Sequence, residues 1–412
     1  MSQLPESTES TDTKQAPEAA LPVVVLKTKS DRRIKQGHCW VYSNEIDIER
    51  SQFKTFAAGQ QATLVNPHGL VLGSGYFNPQ ALLCGRLYSR ADQQPLDGAF
   101  IRRQVTAAFD WREACYQKPY YRLVYGDGDN LPGLVIDRYD DVLVMQINTA
   151  GMMAVLEAIV GSLVDVLKPF GILLRNEKEN TIEQLPAQTE VVYGEVPNFV
   201  EIIENGVAFN VPVMGGQKTG WFYDHRDSRA LLAKYCQGKR VLDVYSYLGG
   251  WGLQAMASGA ESVTCVDSSA SALAQAEASA TTAGYDTQMR FLKGAAIDIL
   301  KSLIRKHLIF DVIVLDPPAF IKRRKDQRSG ENAYHHINQL AIKLLAESGL
   351  LVSASCSLHL PRESLTKIVH SSAARVGRQA MIVHQGGLGA DHPVNVAMPE
   401  MDYLKAVFAR ID

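Results

Sequence analysis

The stretch Val-Leu-Asp-Pro-Pro-Ala-Phe at residues 314–320 follows an apolar run, 311–315, that is typical of a buried strand. A second apolar run, 350–354, leads directly into Ser-Cys-Ser, which is centred on Cys356. In an open parallel α/β sheet, ligands bind outside the carboxyl ends of the strands. The sequence therefore predicts that a carboxylate, Asp316, and a thiol, Cys356, reach the same edge of one sheet.

The region from residue 197 to the end alternates strand-like apolar runs with helical stretches, which is the pattern of a doubly wound α/β sheet. The predicted strands are 241–244, 262–266, 290–292, 311–315, 350–354, 380–384 and 403–411. A loop containing glycine and proline joins the last two strands, so we expect an antiparallel hairpin there. Seven strands that end in a hairpin resemble the Rossmann-like sheet of class I methyltransferases.

Three further parts precede that region. Residues 22–95 contain short β-rich runs separated by turn residues, and their spacing predicts a small β-barrel. Residues 96–196 predict a linker helix and a small α+β domain with one helix at 152–167. Residues 1–21 are polar and predict a disordered leader. The fourth part, 197–412, is the predicted doubly wound domain.

Composition excludes several classes of protein. Of the 412 residues, 46% are apolar, which is enough for the cores of several domains. The six cysteines show neither Cys-x-x-Cys nor zinc-type spacing with histidine, so we predict no metal site and no disulfide framework. The N-terminus lacks a signal-peptide pattern, and no apolar run approaches the roughly 18 residues of a membrane span. These features favour a cytoplasmic protein without a membrane segment, and they leave an oligomer open.

The formal net charge is −2, so binding to a nucleic acid would depend on local basic patches. Two such stretches occur, at 27–35 and 322–328. Basic loops are usually solvated surface. The second stretch, however, directly follows Asp-Pro-Pro-Ala-Phe, where the phosphates of a bound RNA would pass. The residues predicted to bind RNA are Arg32, Arg33, Lys35, Lys322, Arg323 and Arg324.

The first strand of the predicted sheet leads into a glycine turn, Asp-Val-Tyr-Ser-Tyr-Leu-Gly-Gly at 243–250, and Asp267 ends the second strand. Glycine lets a ligand approach the backbone closely, and an acid at the end of the next strand can hold ribose hydroxyls. The turn is not Gly-x-Gly-x-x-Gly, and no Walker-type Gly-Lys-Ser/Thr occurs. A purely structural Gly-Gly turn is the alternative. The residues predicted here to bind a nucleoside-bearing cofactor are Asp243, Tyr245, Ser246, Gly249, Gly250 and Asp267.

The segment 215–226 is rich in glycine, aromatic and polar residues. It is either the capped entry to the next helix, with its aromatic residues in the core, or a lid over the cofactor. The lid interpretation assigns cofactor contacts to Lys218, Thr219, Asp224 and Arg226.

The Asp-Pro-Pro stretch is typical of a slot for a planar, nitrogen-bearing group, because two prolines fix an extended backbone with few donors. An ordinary turn led by Asp316 is the alternative. Cys356 lies among serines beyond its strand, whereas we expect the other five cysteines to be inert core residues. A thiolate there could add to C6 of a flipped-out pyrimidine while Asp316 acts as an acid near N3. Asp316 is also predicted to contact the cofactor.

Taken in order, many stretches of the chain resemble the bacterial 23S ribosomal RNA 5-methylcytosine methyltransferases. That family combines a PUA domain, a small strand-helix-strand domain and a class I methyltransferase domain. The matching stretches are 38–43, 73–76, 127–138, 218–220, 224–229, 245–250, 316–320, 334–338, 355–357, 391–393 and 403–405. The resemblance implies S-adenosyl-L-methionine as the cofactor, 23S rRNA or a precursor particle as the partner, and Cys356 as the nucleophile that forms 5-methylcytosine.

The chain departs from that family's pattern at Leu248, Ala295 and Ala319, where Thr, an acid near the adenine, and Lys are typical. Two other functions therefore stay open. A guanine-modifying enzyme would share Asp-Pro-Pro and the glycine turn but would methylate a guanine nitrogen directly and need no thiol. An RNA-binding assembly factor with a degenerate cofactor pocket would account for Ala295.

Overall fold

The computed structural model describes residues 20–412. All but the last two residues of the predicted leader, 1–21, lie outside that range. Within 20–412, no helix is long and apolar enough to cross a membrane, and no group of three or more His, Cys, Asp or Glu side chains is arranged to hold a metal ion. The described residues form sheets of five, five, two and seven strands.

The first sheet has the order β1-β3-β4-β5-β2. Its strands are β1 (Val23–Val25), β2 (Trp40–Tyr42), β3 (Gln60–Val65), β4 (Val71–Phe77) and β5 (Leu83–Ser89), with a short helix, α1 (Arg32–Lys35), after β1. A bridge between Leu26 and Ile46 joins the backbone just beyond the two edge strands. Both side chains are fully buried. The bridge brings the two edges of the sheet together, so the sheet has the barrel-like curvature predicted for residues 22–95 and encloses an apolar centre.

The second sheet has the order β10-β9-β8-β7-β6 and follows the helix α2 (Gly98–Cys115). Its elements are β6 (Tyr120–Tyr125), β7 (Leu134–Tyr139), β8 (Val142–Ile147), α3 (Ala150–Met153), α4 (Leu156–Leu167), β9 (Gly171–Asn176) and β10 (Gln188–Gly194). The single helix predicted for 152–167 is wrong, because Val155 leaves the helical region at φ −115° and separates α3 from α4.

The break lets the short helix α3 pack against the first sheet. A Cβ on Gly151 would lie 2.3 Å from the ring of Tyr76, so only glycine permits this contact. The Tyr76 hydroxyl also donates to the backbone oxygen of Pro132. The first and second sheets are therefore joined through α3 and the turn before β7.

A separate two-stranded hairpin, β11 (Phe199–Glu204) and β12 (Val207–Pro212), precedes the large sheet. Alternate side chains of β12 are buried, as expected for a strand with one face on a core. Phe209 on β12 packs on Trp221, with ring centroids 4.5 Å apart. The hairpin thereby anchors the segment 213–225 that leads to the cavity described below.

The seven-stranded sheet has the order β15-β14-β13-β16-β17-β19-β18. Its strands are β13 (Arg240–Val244), β14 (Ser262–Asp267), β15 (Met289–Lys293), β16 (Phe310–Leu315), β17 (Leu345–Ser355), β18 (Ala380–Gly386) and β19 (Lys405–Ile411). The first five strands are parallel, and β19 is antiparallel to both of its neighbours. The predicted class I methyltransferase sheet and its terminal hairpin are confirmed.

Helices cover both faces of this sheet. They are α5 (Arg226–Leu232), α6 (Gly250–Ala257), α7 (Ala270–Thr282), α8 (Ala296–Arg305), α9 (Gln327–Ile342) and α10 (Arg362–Arg375). Neighbouring side chains on β13 point to opposite faces, so Val241 belongs to the apolar cluster under α6 and α7, and Leu242 to the cluster under α8 to α10. Burial on both faces explains why these strands are continuous apolar runs.

The loop 387–404, between β18 and β19, contacts the domains of all three larger sheets. Met398 and Met401 are buried in the core of the first sheet. Asp391 accepts a hydrogen bond at 3.0 Å from the backbone N–H of Arg122 on β6. Tyr403 reaches the carboxyl edge of the seven-stranded sheet. This loop therefore ties the two N-terminal domains to the edge where the candidate site lies.

Candidate active site

A cavity of about 560 Å³ opens at the carboxyl ends of β13, β14, β16 and β17. It occupies the crevice that a doubly wound sheet forms where the strand order reverses. The predicted site residues that line it are Lys218, Asp224, Tyr245, Ser246, Gly250, Asp267, Asp316 and Cys356. Four predicted cofactor residues lie outside its lining, namely Thr219, Arg226, Asp243 and Gly249.

The turn after β13 contains positive φ angles at Tyr245 (67°), Tyr247 (49°) and Gly249 (75°). Residues other than glycine adopt this region at an energetic cost, and such strain is concentrated at functional sites. A Cβ on Gly249 would lie 3.2 Å from the Cβ of Ala276 on α7. Glycine at this position therefore lets α7 approach, while the next residue, Gly250, faces the cavity.

Asp243 lies beneath the turn and is fully buried. Its Oδ2 accepts a hydrogen bond at 2.9 Å from the backbone N–H of Gly252. Burial raises the pKa of this carboxyl to about 7, against the opposing effect of the Gly252 N–H. Asp243 thus holds the first turn of α6 against β13, and its contact with the cavity is indirect.

Asp267, at the end of β14, lines the cavity directly. Its Oδ2 accepts from the backbone N–H of Tyr247 at 2.9 Å, and its Oδ1 from that of Ser269 at 2.8 Å. These bonds orient the carboxylate, and each oxygen keeps a further lone pair for a hydroxyl donor. The geometry suits the predicted contact with ribose.

The segment 217–225 crosses over the cavity with its side chains divided between two sides. Lys218 lines the cavity, and its Nζ lies 4.6 Å from the ring centroid of Phe222. Thr219 faces away, because its hydroxyl donates to Asp137 on β7 and its carbonyl accepts from the hydroxyl of Tyr139 at 3.1 Å. Thr219 therefore fastens the segment to the second sheet.

Arg226 also faces away from the cavity. Its guanidinium lies over the ring of Tyr116, 4.4 Å from the centroid, and its Nε is 3.6 Å from Glu204. Arg229, one helical turn later, lines the cavity and donates to the buried Glu204 at 2.6 Å. Arg229 was not among the predicted site residues, although it lies in a stretch that resembles the family.

Asp224 is a buried carboxylate at the cavity wall. Its Oδ2 accepts a hydrogen bond from the hydroxyl of Tyr403 at 2.7 Å. Burial acts to raise the pKa of Asp224, but the nearby charges of His225 and Lys218 outweigh it and hold the pKa well below its usual value. Its Oδ1 has no hydrogen-bond partner among residues 20–412. Asp224 is therefore an ionised acceptor with one oxygen available.

Asp316, directly after β16, is held by two donors. His225 Nε2 lies 3.1 Å from its Oδ1, and Trp251 Nε1 donates to its Oδ2 at 3.1 Å. Burial opposes ionisation of Asp316, but the charge and hydrogen bond of His225 prevail and lower its pKa. The pKa of His225 is raised, because Asp316 outweighs the effect of burial. The two groups therefore form a buried imidazolium–carboxylate pair.

This pairing changes the role expected for Asp316. An ionised carboxylate accepts hydrogen bonds and has no proton to donate. The predicted action of Asp316 as an acid near a ring nitrogen therefore requires a proton source beside it. His225 is placed to be that source.

Cys356 follows β17 and is partly exposed to the cavity. Its Sγ lies 4.0 Å from the backbone oxygen of Pro317, so the thiol and the Asp-Pro-Pro stretch share one wall. Burial and the charge of Asp316 raise the pKa of the thiol to about 11, while Lys218 acts in the opposite direction. Cys356 is therefore a thiol at neutral pH and must lose its proton before it can act as a nucleophile.

Lys405, the first residue of β19, lies behind the Cys356 loop. Its Nζ donates to the backbone oxygens of Ser357 and Tyr403, both at 2.7 Å. Burial lowers the pKa of this ammonium to about 8, although Asp402 and Cys356 oppose that change. Lys405 thus joins Ser357, the residue after Cys356, to the cavity wall formed by the loop 387–404.

The remaining cysteines differ in one respect from expectation. Cys39, Cys84, Cys236 and Cys265 are buried, as predicted for inert core residues. Cys115 is exposed, so the prediction is wrong for this residue. It is the last residue of α2, where the helix ends at the surface.

The two basic stretches differ in how freely their charges face the solvent. Arg33 donates to both oxygens of Glu45 at 3.0 and 2.9 Å, and Lys35 lies 2.5 Å from Asp31. The side chains of the other stretch are exposed, and Arg323 alone among its three predicted residues has a described acidic partner, Asp326 at 3.2 Å. Most of the second stretch is therefore available to a phosphate backbone, whereas Arg33 is committed to the fold.

Besides Arg229, sequence reasoning missed four side chains at or beside the cavity: His225, Trp251, Tyr403 and Lys405. A signal existed for three of them, because His225 lies in the predicted lid and 403–405 resembles the family. No local pattern indicated that Trp251 on α6 would reach Asp316.

The lining fits a cofactor that carries a nucleoside and an amino-acid end. Among the described residues, three buried polar atoms of the lining have no partner, Asp224 Oδ1, His225 Nδ1 and Ser246 Oγ. Asp267 presents an oriented carboxylate at the end of β14, and Gly250 leaves the backbone open. A Cβ at Gly250 would lie 3.1 Å from the Trp221 ring, so a side chain here would crowd the lining.

Family models match two parts of the chain. Residues 24–90 match a PUA-like domain, and residues 183–359 match the S-adenosylmethionine-dependent methyltransferases. Together with the sheet order and the cavity, these matches define the class of the protein. It is a methyltransferase that uses S-adenosyl-L-methionine and carries an N-terminal PUA-like domain.

Curated relatives are similar over nearly the whole chain. The ribosomal RNA large subunit methyltransferase I of Tolumonas auensis is 34% identical over 394 residues, which cover 94% of this chain and 98% of that protein. The protein of the same name from Klebsiella pneumoniae is 31% identical over 402 residues, covering 96% and 99%. The chain belongs to the ribosomal RNA large subunit methyltransferase I family.

Solved structures agree with this fold. SMU.776, a proposed methyltransferase complexed with SAH, superimposes with a TM-score of 0.82 at 24% identity, covering 95% of this chain and 100% of that one. A proposed SAM-dependent methyltransferase from Streptococcus mutans gives a TM-score of 0.81 at 23% identity, with the same coverage.

Proposed function

We propose that the protein methylates C5 of a cytosine in large-subunit ribosomal RNA, through a covalent bond between Cys356 and C6. The observation that carries this proposal is that the Cys356 thiol and Asp316 share one cavity at the carboxyl edge of the sheet. Curated relatives named as ribosomal RNA large subunit methyltransferases support RNA as the substrate. The base enters the cavity unpaired, because an atom inside a helix is out of reach.

The cofactor would be held by the cavity residues around the glycine turn. Asp267 accepts the ribose hydroxyls, Gly250 lets the backbone approach, and Asp224 Oδ1 accepts from the ammonium of the methionine end. Asp243, Thr219 and Arg226 support this wall from behind. When bound, S-adenosyl-L-methionine supplies a methyl group on a positively charged sulfur.

The chain's own residues would activate the base. C5 of cytosine is a poor nucleophile, so the Cys356 thiol first loses its proton to solvent and the thiolate bonds to C6. The electron pair of the C5–C6 double bond then moves between C5 and C4, the C4–N3 π pair moves onto N3, and N3 takes a proton through Asp316, which holds none in the free protein and needs a donor beside it. C5 can then attack an electrophile. Loss of the C5 proton to a base then restores the double bond and expels the Cys356 thiolate.

Replacement of the thiol tests this chemistry. We expect Cys356→Ala to abolish methyl transfer while S-adenosyl-L-methionine and RNA still bind, because alanine removes the nucleophile and little volume. Methyl transfer to ribosomal RNA from a deletion strain is measured by mass spectrometry. Cys115→Ser is the matched control, since Cys115 is exposed and remote from the cavity, and it should retain activity.

RNA that carries 5-fluorocytosine should trap the wild-type protein as a covalent complex, because fluorine cannot leave C5 as a proton does. Cys356→Ala should form no such complex. A guanine-modifying enzyme would show neither effect, and substantial methylation by Cys356→Ala would exclude the thiol mechanism. An assembly factor with a degenerate pocket would fail to bind S-adenosylhomocysteine in a calorimetric titration.

A further inference from the structure

The pair formed by His225 and Asp316 is not explained by binding of a cofactor alone. His225 is 3% exposed, so it is not a surface histidine that happens to meet an acid. Its Nε2 is 3.1 Å from Asp316, and its ring lies 5.2 Å from that of Trp251, the other donor to the same carboxylate. Two residues from separate helical segments therefore hold one carboxylate in place.

The reaction proposed above has a proton requirement at Asp316. Bond formation at C6 places an electron pair on N3, which must take a proton. Asp316 is ionised in the free protein and has none to give. Two groups next to it carry a proton on the bonded atom, His225 Nε2 and Trp251 Nε1, and only the imidazolium can release its proton near neutral pH.

We propose that His225 is a positioning residue that acts through Asp316, passing to it the proton that N3 of the cytosine takes. This inference rests on the proposed function. As the bond from sulfur to C6 forms, Asp316 takes the proton of His225 Nε2, which becomes neutral, and passes it to N3, so that Asp316 is a carboxylate again. When the thiolate is expelled, N3 returns the proton and the pair is restored, so no net proton is consumed at this site.

The charged groups around His225 favour its protonated form. Asp316 and Asp224 raise its pKa, while Arg229, on α5, and burial oppose them. The pKa is raised above its ordinary value near 6.5, so the imidazolium is present at lower pH and is lost as the pH rises through the raised value. The Cys356 thiol requires the opposite, because more thiolate forms as the pH rises. Together they predict a rate of methyl transfer that rises with pH up to the raised pKa of His225 and then levels off, because above it thiolate is gained as fast as imidazolium is lost until the pKa of Cys356 is reached.

The test measures single-turnover formation of 5-methylcytosine between about pH 6 and 9. His225→Gln keeps an amide that can donate to Asp316 but cannot exchange a proton near neutral pH. We expect it to slow the step on the order of 10²-fold and to let the rate keep rising across this range, where the wild type levels off. Trp251→Phe is the matched control, because it removes the other donor to Asp316 without removing a titrating group. It should slow the reaction yet keep the levelling-off.

Lys405 also titrates in this range, but it remains in His225→Gln, so a levelling-off that persists in that variant would overturn the assignment to His225. A second measurement needs neither RNA nor cofactor. Nuclear magnetic resonance of the His225 ring should show a lower pKa in Asp316→Asn than in the wild type, and an unchanged value would overturn the pairing. A wild-type product other than 5-methylcytosine would instead overturn the proposed function, and with it the N3 step.

Discussion

The aspartates at the cavity differ in pKa because different groups surround each carboxyl. Asp316 and Asp224 are ionised despite burial, because His225 and other cations lie beside them. At Asp243 burial outweighs the Gly252 N–H and the charge of Arg229 and raises the pKa to about 7. Acidic residues around one cavity thus differ in pKa for a physical reason that no local sequence pattern contains.

Asp267→Ala should weaken binding of S-adenosyl-L-methionine by about 1–3 kcal/mol, because it removes a charged acceptor of hydroxyl donors. Calorimetric titration measures the effect. The control is Asp298→Ala, because Asp298 is the acid nearest to Ala295 and lies exposed on α8, outside the cavity lining. The affinity of this variant for S-adenosyl-L-methionine should match that of the wild type. Equal affinity of Asp267→Ala and the wild type would remove the ribose assignment.

At the scale of elements, the helix α2 connects the second sheet to the loop 387–404. Arg112 on this helix is fully buried and pairs with Asp129 through two bonds, at 2.5 and 2.8 Å. The same guanidinium donates to the backbone oxygen of Asp391 at 2.9 Å. One side chain therefore fixes the loop that carries Tyr403 into the cavity.

Arg112→Met should lower the free energy of unfolding by about 3–5 kcal/mol, because it leaves the Asp129 carboxylate buried without its cation. Arg102→Met on the same helix is the control. Arg102 is 57% exposed and lies 3.4 Å from the exposed Asp165, so its replacement should cost about 0–1 kcal/mol. Denaturant unfolding compares the two variants, and equal decreases in the free energy of unfolding would contradict the role given to burial.

At the scale of the whole molecule, the loop 387–404 and the segment 217–225 connect the first two domains to the walls of the cavity. The exposed basic stretch 322–324 begins a few residues after Ala319, at the cavity rim. The basic residues of the first domain are partly committed to partners such as Glu45. We therefore expect the second stretch to contribute more to RNA binding than the first.

Replacement of Lys322, Arg323 and Arg324 by Gln should weaken the salt dependence of RNA binding, because fewer phosphates are then neutralised by the protein. The log–log slope should fall by about 0.7 for each such phosphate. Affinity for S-adenosyl-L-methionine should stay unchanged. The control replaces Lys301, Arg305 and Lys306 by Gln, because these residues carry the same charge near the far end of α8. RNA-binding titrations across salt concentrations measure this slope. Equal slopes for the two triple variants would mean that the 322–324 stretch does not contact RNA phosphates.

The sequence by itself determined the seven strands, their final hairpin and the edge of the sheet that carries the chemistry. These features follow from the apolar run of each strand and from the rule that parallel strands end at one edge. The sequence alone therefore predicts that Asp316 and Cys356 lie at the same edge. The division into α3 and α4 was not determined in this way, because it depends on the close approach of Gly151 to Tyr76 in another domain.

Only the tertiary structure decided which predicted residues face the cavity and which are charged. Thr219 and Arg226 turn toward Asp137 and Tyr116, partners far away in the chain, and no local pattern indicates that direction. Asp316 is an ion because His225 folds beside it. Local periodicity specifies an element and its buried face, whereas side-chain direction and ionisation depend on atoms that other elements bring within a few ångströms.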